Sequence, residues 1–217
     1  MKIFTRNKVI ASITVVAGVL LFAAGAADIT IKPSGVYKEI DVRLAMDTMK
    51  ALRESKGDAL TKVIGNITNQ PENFAPPVLY VLSSVLVQQN KKDEAVFWFH
   101  AGQLRGLIDA NICTDKTAPI AIQSLNRRFG QPISTYCLTN ISVLTNAVAR
   151  LLVWEEETPC HYDRRWINLQ TMNELAGETN SVLTVPPEQW EAIRKQTREE
   201  WAADFHKALD SFNQRKQ

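Results

Sequence analysis

The chain has 217 residues with 25 basic and 23 acidic side chains, a net charge of +2, and only 9 Gly and 9 Pro. Its charges alternate in sign, as in the run from Glu191 to Trp201, so it lacks the one-signed stripe that grips a phosphate backbone, and nucleic acid is excluded as a partner. No Gly- or Pro-rich linker divides it, and its length suits one domain with a sizeable core.

At the N-terminus, Lys2, Arg6 and Lys8 precede an apolar run from Val9 to Phe22 that ends in small residues with an Ala24-x-Ala26 pattern. This layout predicts a signal peptide over residues 1–26, removed near Ala27. The 19 residues from Val9 to Ala27 also match the ~30 Å of a membrane anchor. Ser12, Thr14, the glycines and the small-residue end favour cleavage instead. Loss of the signal takes the basic count from 25 to 22 against 23 acidic residues, a net −1. The expected location is the periplasm or the cell exterior, with membrane contact only through the signal peptide.

Residues 27–40 alternate weakly (Ile29, Ile31) before Pro33 and Gly35 and read as an extended arm. From residue 41 to 217, apolar residues recur at steps of three and four, the helical period, and a single all-helical domain is expected. A first helix runs from about Asp41 to Ser55 on Val42, Ala45, Met46, Met49 and Leu52; a second covers Asp58 to about Thr68. Pro76 and Pro77 suit the first turn of a third, which ends near Asn90, a residue tolerant of left-handed geometry. Asp93 and Glu94 open a fourth at the end where the helix dipole favours acids. Thr117 starts a fifth that Gly130 ends, and Pro132 starts a long sixth that reaches Glu156. A seventh spans about Arg165 to Ala176. The last carries Trp190, Ile193, Thr197, Trp201, Phe205, Leu209 and Phe212 on one face and is expected to pack along the bundle. The sum is an all-α fold of about 7–8 helices arranged as antiparallel hairpins.

The third and fourth helices have a particular spacing. Leu79, Leu82, Ser83 and Leu86 follow a large–large–small–large pattern, and Ala95, Phe99 and Gly102 put small and aromatic residues where a neighbouring helix comes close. From Leu79 to Gly106 this hairpin resembles a tetratricopeptide (TPR) repeat, and the string from Glu94 to Gly106 is similar to the second helix of a Sel1-like repeat. The resemblance covers this hairpin alone. It implies a TPR-like or Sel1-like bundle that binds a protein, with the partner-facing groove lined by first helices. Pro77, Tyr80, Ser84, Val87 and Gln88 would then lie on the concave side, and Tyr80, Ser84, Val87 and Gln88 are the candidate partner-binding residues.

Three cysteines fall in a compartment that permits disulfides. If the fifth and sixth helices run antiparallel, the chain after Glu156 returns to the end where Cys113 sits, and Cys137 lies ~28 Å away at the other end. A Cys113–Cys160 bridge is therefore expected, with Cys137 free; closing a loop of roughly 48 residues, it would contribute about 3–4 kcal/mol.

No catalytic constellation is visible. His100, His161 and His206 are scattered, no serine sits in a nucleophile elbow and no phosphate loop occurs. The one dense local cluster, Cys160, His161, Asp163, Arg164 and Arg165 beside Trp166, reads as a disulfide next to a charged helix start rather than a zinc site. No metal or cofactor is expected. The sequence supports a non-enzymatic, exported protein-binding module. Its expected role is a periplasmic immunity-type protein that neutralises a secreted bacterial toxin, with an adaptor for envelope components in assembly or secretion as the alternative. A periplasmic enzyme with an unrecognised site is the reading from another class.

Overall fold

The structure, a computed structural model, describes residues 33–214. The signal peptide and the first residues of the arm lie outside the described residues. The α-helices are α1 (Arg43–Glu54), α2 (Gly57–Asn69), α3 (Pro76–Gln88), α4 (Lys92–Ile112), α5 (Ala118–Thr139), α6 (Ile141–Glu157), α7 (Met172–Leu175) and α8 (Trp190–Gln214). Short 3-10 segments lie at Gly35–Glu39, Pro71–Asn73, Arg164–Gln170 and Pro187–Gln189. The fold is all-α: among the described residues there is no strand, only an isolated antiparallel bridge between Cys113 and Thr184. No single described helix is long and apolar enough to cross a membrane. α5 and α6 together are, but they bend by 118° at the break between them.

α4 is the axis of the domain. It packs on α3, α5, α6 and α8, and its four successive residues Val96, Phe97, Trp98 and Phe99 are all buried. Successive helical residues are 100° apart, so four in a row surround the helix. Burial of each such side chain contributes about 1.5–3 kcal/mol. Small residues set how closely the neighbours come. A Cβ on Gly102 would stand 3.0 Å from the Tyr80 ring, and one on Gly106 would stand 2.7 Å from Ile122. Ser83 is buried against α4, its hydroxyl donating to the Ala95 carbonyl at 2.7 Å. Residues 76 and 102, 80 and 99, and 83 and 95 meet in pairs. The numbers rise on one helix as they fall on the other, so α3 and α4 run antiparallel. Asn90 turns the chain between them at φ 61°.

Several boundaries differ from those expected. α5 does not end at Gly130 but continues through Gly130 and Pro132 to Thr139. Gly130 has a packing role: a Cβ there would lie 3.2 Å from the Phe99 ring. The arm is not extended throughout. Gly35–Glu39 coils into a 3-10 turn that buries Tyr37, which with Ile40 and Leu183 forms a small separate cluster. Gly35 takes φ +52° there, and a side chain would strike the Thr179 backbone. The expected seventh helix is a 3-10 turn followed by a four-residue helix. Tyr162, Arg164 and Trp166 all reach the same carboxylate of Asp109.

Replacing Gly102 by Val is expected to destabilise the domain by about 2–3 kcal/mol through overpacking against Tyr80, read as a lower urea midpoint with an unchanged slope.

Candidate functional site

The anchor of the site is a pair of buried charges one turn apart on α4. Arg105 and Asp109 are both buried, and burying an ion is costly unless most of its hydrogen bonds are met; among the buried polar side-chain atoms of the described residues, Arg105 Nε alone lacks a partner. The Arg105 guanidinium donates to the carbonyls of Thr158 at 2.8 Å and Pro159 at 3.2 Å and lies 4.1 Å over the Trp154 ring. Asp109 accepts from the Tyr162 hydroxyl at 3.0 Å, Arg164 Nε at 2.8 Å and Trp166 Nε1 at 2.8 Å. Desolvation and the adjacent carboxylate hold the Tyr162 phenol well above its ordinary range. These bonds hold the chain from Thr158 to Trp166 against α4.

Trp166, so placed, joins α1, α3 and α5 in lining an open groove of about 440 Å³. Pro77 and Val81 of α3 and Leu125 and Phe129 of α5 contribute to it, with Met46 and Met49 of α1 and Ile120 of α5. Met46 is 59 % and Ile120 54 % exposed, unusual for side chains of this kind beside an apolar cleft. Arg53 and Arg128 are its only charged lining residues, and neither makes an ion pair among the described residues. The Arg128 guanidinium lies 5.5 Å over the Phe129 ring.

The four residues expected to face a partner do not share this surface. Tyr80 is 0 % exposed. Its ring meets Phe99 edge-on at 5.3 Å and Phe129 at 5.9 Å, and its hydroxyl donates to Asn126 Oδ1 at 2.7 Å. Burial pushes its phenol far above the usual range. Ser84 is half-buried, Val87 packs against the core from its edge, and Gln88 is exposed. The helix geometry accounts for the division. At 100° per residue, Ser84 and Gln88 continue the Pro77–Val81 stripe, whereas Tyr80 and Val87 lie 60–80° or more round the helix. Pro77 alone of the residues assigned to the concave side lines the groove. Met46, Arg53 and Arg128 were not singled out as binding residues. The available signal was an apolar face on α1 wider than one neighbouring helix covers.

The expected Cys113–Cys160 disulfide is absent; all three thiols are free. Cys160 follows the carbonyls that Arg105 captures, and the His161 N–H donates to the Glu72 carbonyl at 2.8 Å. Arg105 and Cys113 are eight positions apart, ~12 Å along α4, beyond the ~7 Å Cα separation of a disulfide. The Cys113 thiol is occupied with Asn168 Oδ1 at 3.1 Å, and burial pushes it up to about 11, as it does Cys137. In the dense cluster after Pro159, Asp163 is engaged by Arg165 at 2.8 Å. No three His, Cys, Asp or Glu side chains gather at metal-binding distance among the described residues.

The chain matches no family model, no curated protein and no solved structure.

Two outcomes follow from the buried polar groups. Asp109→Ala strands the Arg164 guanidinium, the Tyr162 hydroxyl and the Trp166 N–H together and is expected to cost about 3–5 kcal/mol in equilibrium unfolding. His100 is pushed from 6.5 down to about 4 by desolvation, so below pH 6.5 the unfolded chain takes up a proton that the folded chain refuses. Stability is expected to fall by about 3 kcal/mol between pH 6.5 and 4 on its account. His100→Gln should remove that part of the slope in urea titrations at several pH values.

Proposed function

We propose that the chain is an exported protein-binding module whose α1/α3/α5 groove receives a partner segment carrying both apolar side chains and carboxylates. The biological form of this reading is an immunity-type protein that occupies and blocks a secreted toxic effector. The observation that carries it is the groove itself: exposed Met46 and Ile120 over an apolar floor, with Arg53 and Arg128 as the only charges. A carboxylate beside either arginine gains a charge-assisted hydrogen bond, and methionine adapts to the shape of the side chain it meets. The resemblance to TPR and Sel1-like hairpins supports the same face, because α1, α3 and α5 are the first helices of successive helix pairs. The composition of residues 1–26 supports export.

The test uses the product of the neighbouring gene as the partner, with binding measured by titration and protection measured by growth of cells expressing that product. The wild-type chain is expected to bind and protect. Met46→Glu and the double change Arg53→Glu, Arg128→Glu should each weaken binding tenfold or more and abolish protection, while Leu138→Glu, outside this groove, leaves both unchanged. A chain that neither binds nor protects overturns the immunity role. Tight binding indifferent to the groove changes overturns the groove.

A further inference from the structure

A second cleft, of about 540 Å³, lies where α4, α5 and α6 face the C-terminal half of α8. Its walls carry Ile133 and Leu138 of α5, Leu144 of α6, and Phe205, Leu209 and Phe212 of α8. Phe99 also lines it, brought up to the α5 backbone by the missing side chain of Gly130. Leu138 is 56 % exposed at its edge. The lining along α5 runs from Asn126 to Leu138, ~18 Å of helix.

Polar groups are distributed unevenly along that length. Asn126, Arg127 and Gln131 gather at one end, and Arg127 is the only permanently charged residue of the lining. It is exposed and makes no ion pair among the described residues. His100, which also lines the cleft, is neutral near pH 7 because burial pushes it down to about 4, and its ring bonds to Gln103 at 3.2 Å. At the other end Leu138, Ile141 and Leu144 are wholly apolar.

This distribution selects among occupants. An extended peptide brings an N–H and a carbonyl at every residue, which walls of this kind cannot satisfy. An alkyl chain carries no polar group along its body and needs one polar contact at its head.

We propose that the α5–α6–α8 cleft binds a long-chain carboxylate, a single-chain anionic amphiphile whose tail lies along α5 and whose head is met by the Arg127 guanidinium. The pairing is charge-assisted and lies at the solvent-exposed end, where the carboxylate keeps part of its hydration.

The test titrates the full chain with laurate and with 1-dodecanol, which has the same tail without the charge. Native mass spectrometry counts the bound molecules, and displacement of a dansyl-labelled fatty acid gives the affinity. One laurate per chain is expected, bound about tenfold more tightly than dodecanol. In Arg127→Gln the two ligands should bind alike, because the neutral side chain and the uncharged ligand head each remove the same pair. Leu138→Glu and Ser134→Trp, at exposed positions of the lining, should each lower laurate affinity at least tenfold with an unchanged melting temperature, whereas Met46→Glu in the other groove has no effect. Four outcomes overturn the proposal. These are no stoichiometric uptake, equal affinity for laurate and dodecanol in the wild type, uptake indifferent to Leu138→Glu and Ser134→Trp, and a laurate preference unchanged in Arg127→Gln.

Discussion

The arrangement of this domain depends on Arg105 and Asp109, two buried charges set one turn apart in a helix whose other charged residues, Lys92, Asp93 and Glu94, all lie in its exposed first turn. Neither could be buried without partners, and the partners are spread over the chain. Arg105 gathers the carbonyls of Thr158 and Pro159; Asp109 gathers Tyr162, Arg164 and Trp166. The first part of the segment between α6 and α7, from Thr158 to Arg165, has few apolar residues with which to define its own path. Its course is therefore set by where α4 presents a donor fork and an acceptor. Glu155 repeats this logic at the end of α6, where Arg194 and Arg198, one turn apart on α8, converge on its buried carboxylate at 2.6 and 2.9 Å. Arg194 also reaches the carbonyl of Glu156 at 3.2 Å, satisfying an acceptor that the end of α6 leaves open.

From this framework follow two clefts with a common wall. Phe129 lines the α1/α3/α5 groove and Phe99 lines the α5–α6–α8 cleft. Tyr80 touches both rings and is held by Asn126, a residue of the second cleft. α5 presents Arg128 to one opening and Arg127 to the other, successive residues 100° apart on one helix. Each cleft thus has its own arginine and its own apolar wall, with a rigid aromatic cluster between them.

The helical class and most element limits were legible because the three–four apolar period and the punctuation agree, as at Pro76 and at Asn90, whose φ of 61° needs a residue tolerant of that region. Gly130 and Pro132 misled because the same residue types serve two purposes. A glycine can end a helix or admit a neighbour, and only the position of Phe99, thirty-one residues earlier in the sequence, distinguishes them. Tyr80 misled for a related reason: a tyrosine on a helix reads equally as surface or core, and the decision rests on Gly102 opening space for its ring. The disulfide failed because helix direction locates the end of α6 but not how far the following loop rides along α4, and Arg105 fixes that. The strongest legible signal that went unused was the composition of α4 itself. Between Ala95 and Ile112 its only charged residues are Arg105 and Asp109, and isolated charges on such a helix require partners supplied from elsewhere.

α8 shows how the same physics leaves a site open. Its apolar residues recur from Trp190 to Phe212, and polar ties to other elements grip its first half. Arg194 and Arg198 grip Glu155, Thr197 is buried with Asn111 donating to its hydroxyl at 2.8 Å, and Trp201 Nε1 donates to Gln103 at 3.3 Å. The polar ties just named all fall between Arg194 and Trp201. Phe205 stacks on Trp201 at 6.0 Å with the rings nearly parallel, and Leu209 and Phe212 extend the face over α5 and α6 without filling the space beneath. An amphipathic helix normally buries its whole stripe because the hydrophobic gain grows with the area covered. Here the charge clamps set the angle of the helix before the stripe is exhausted, so the second half becomes one wall of a cleft rather than part of a sealed core.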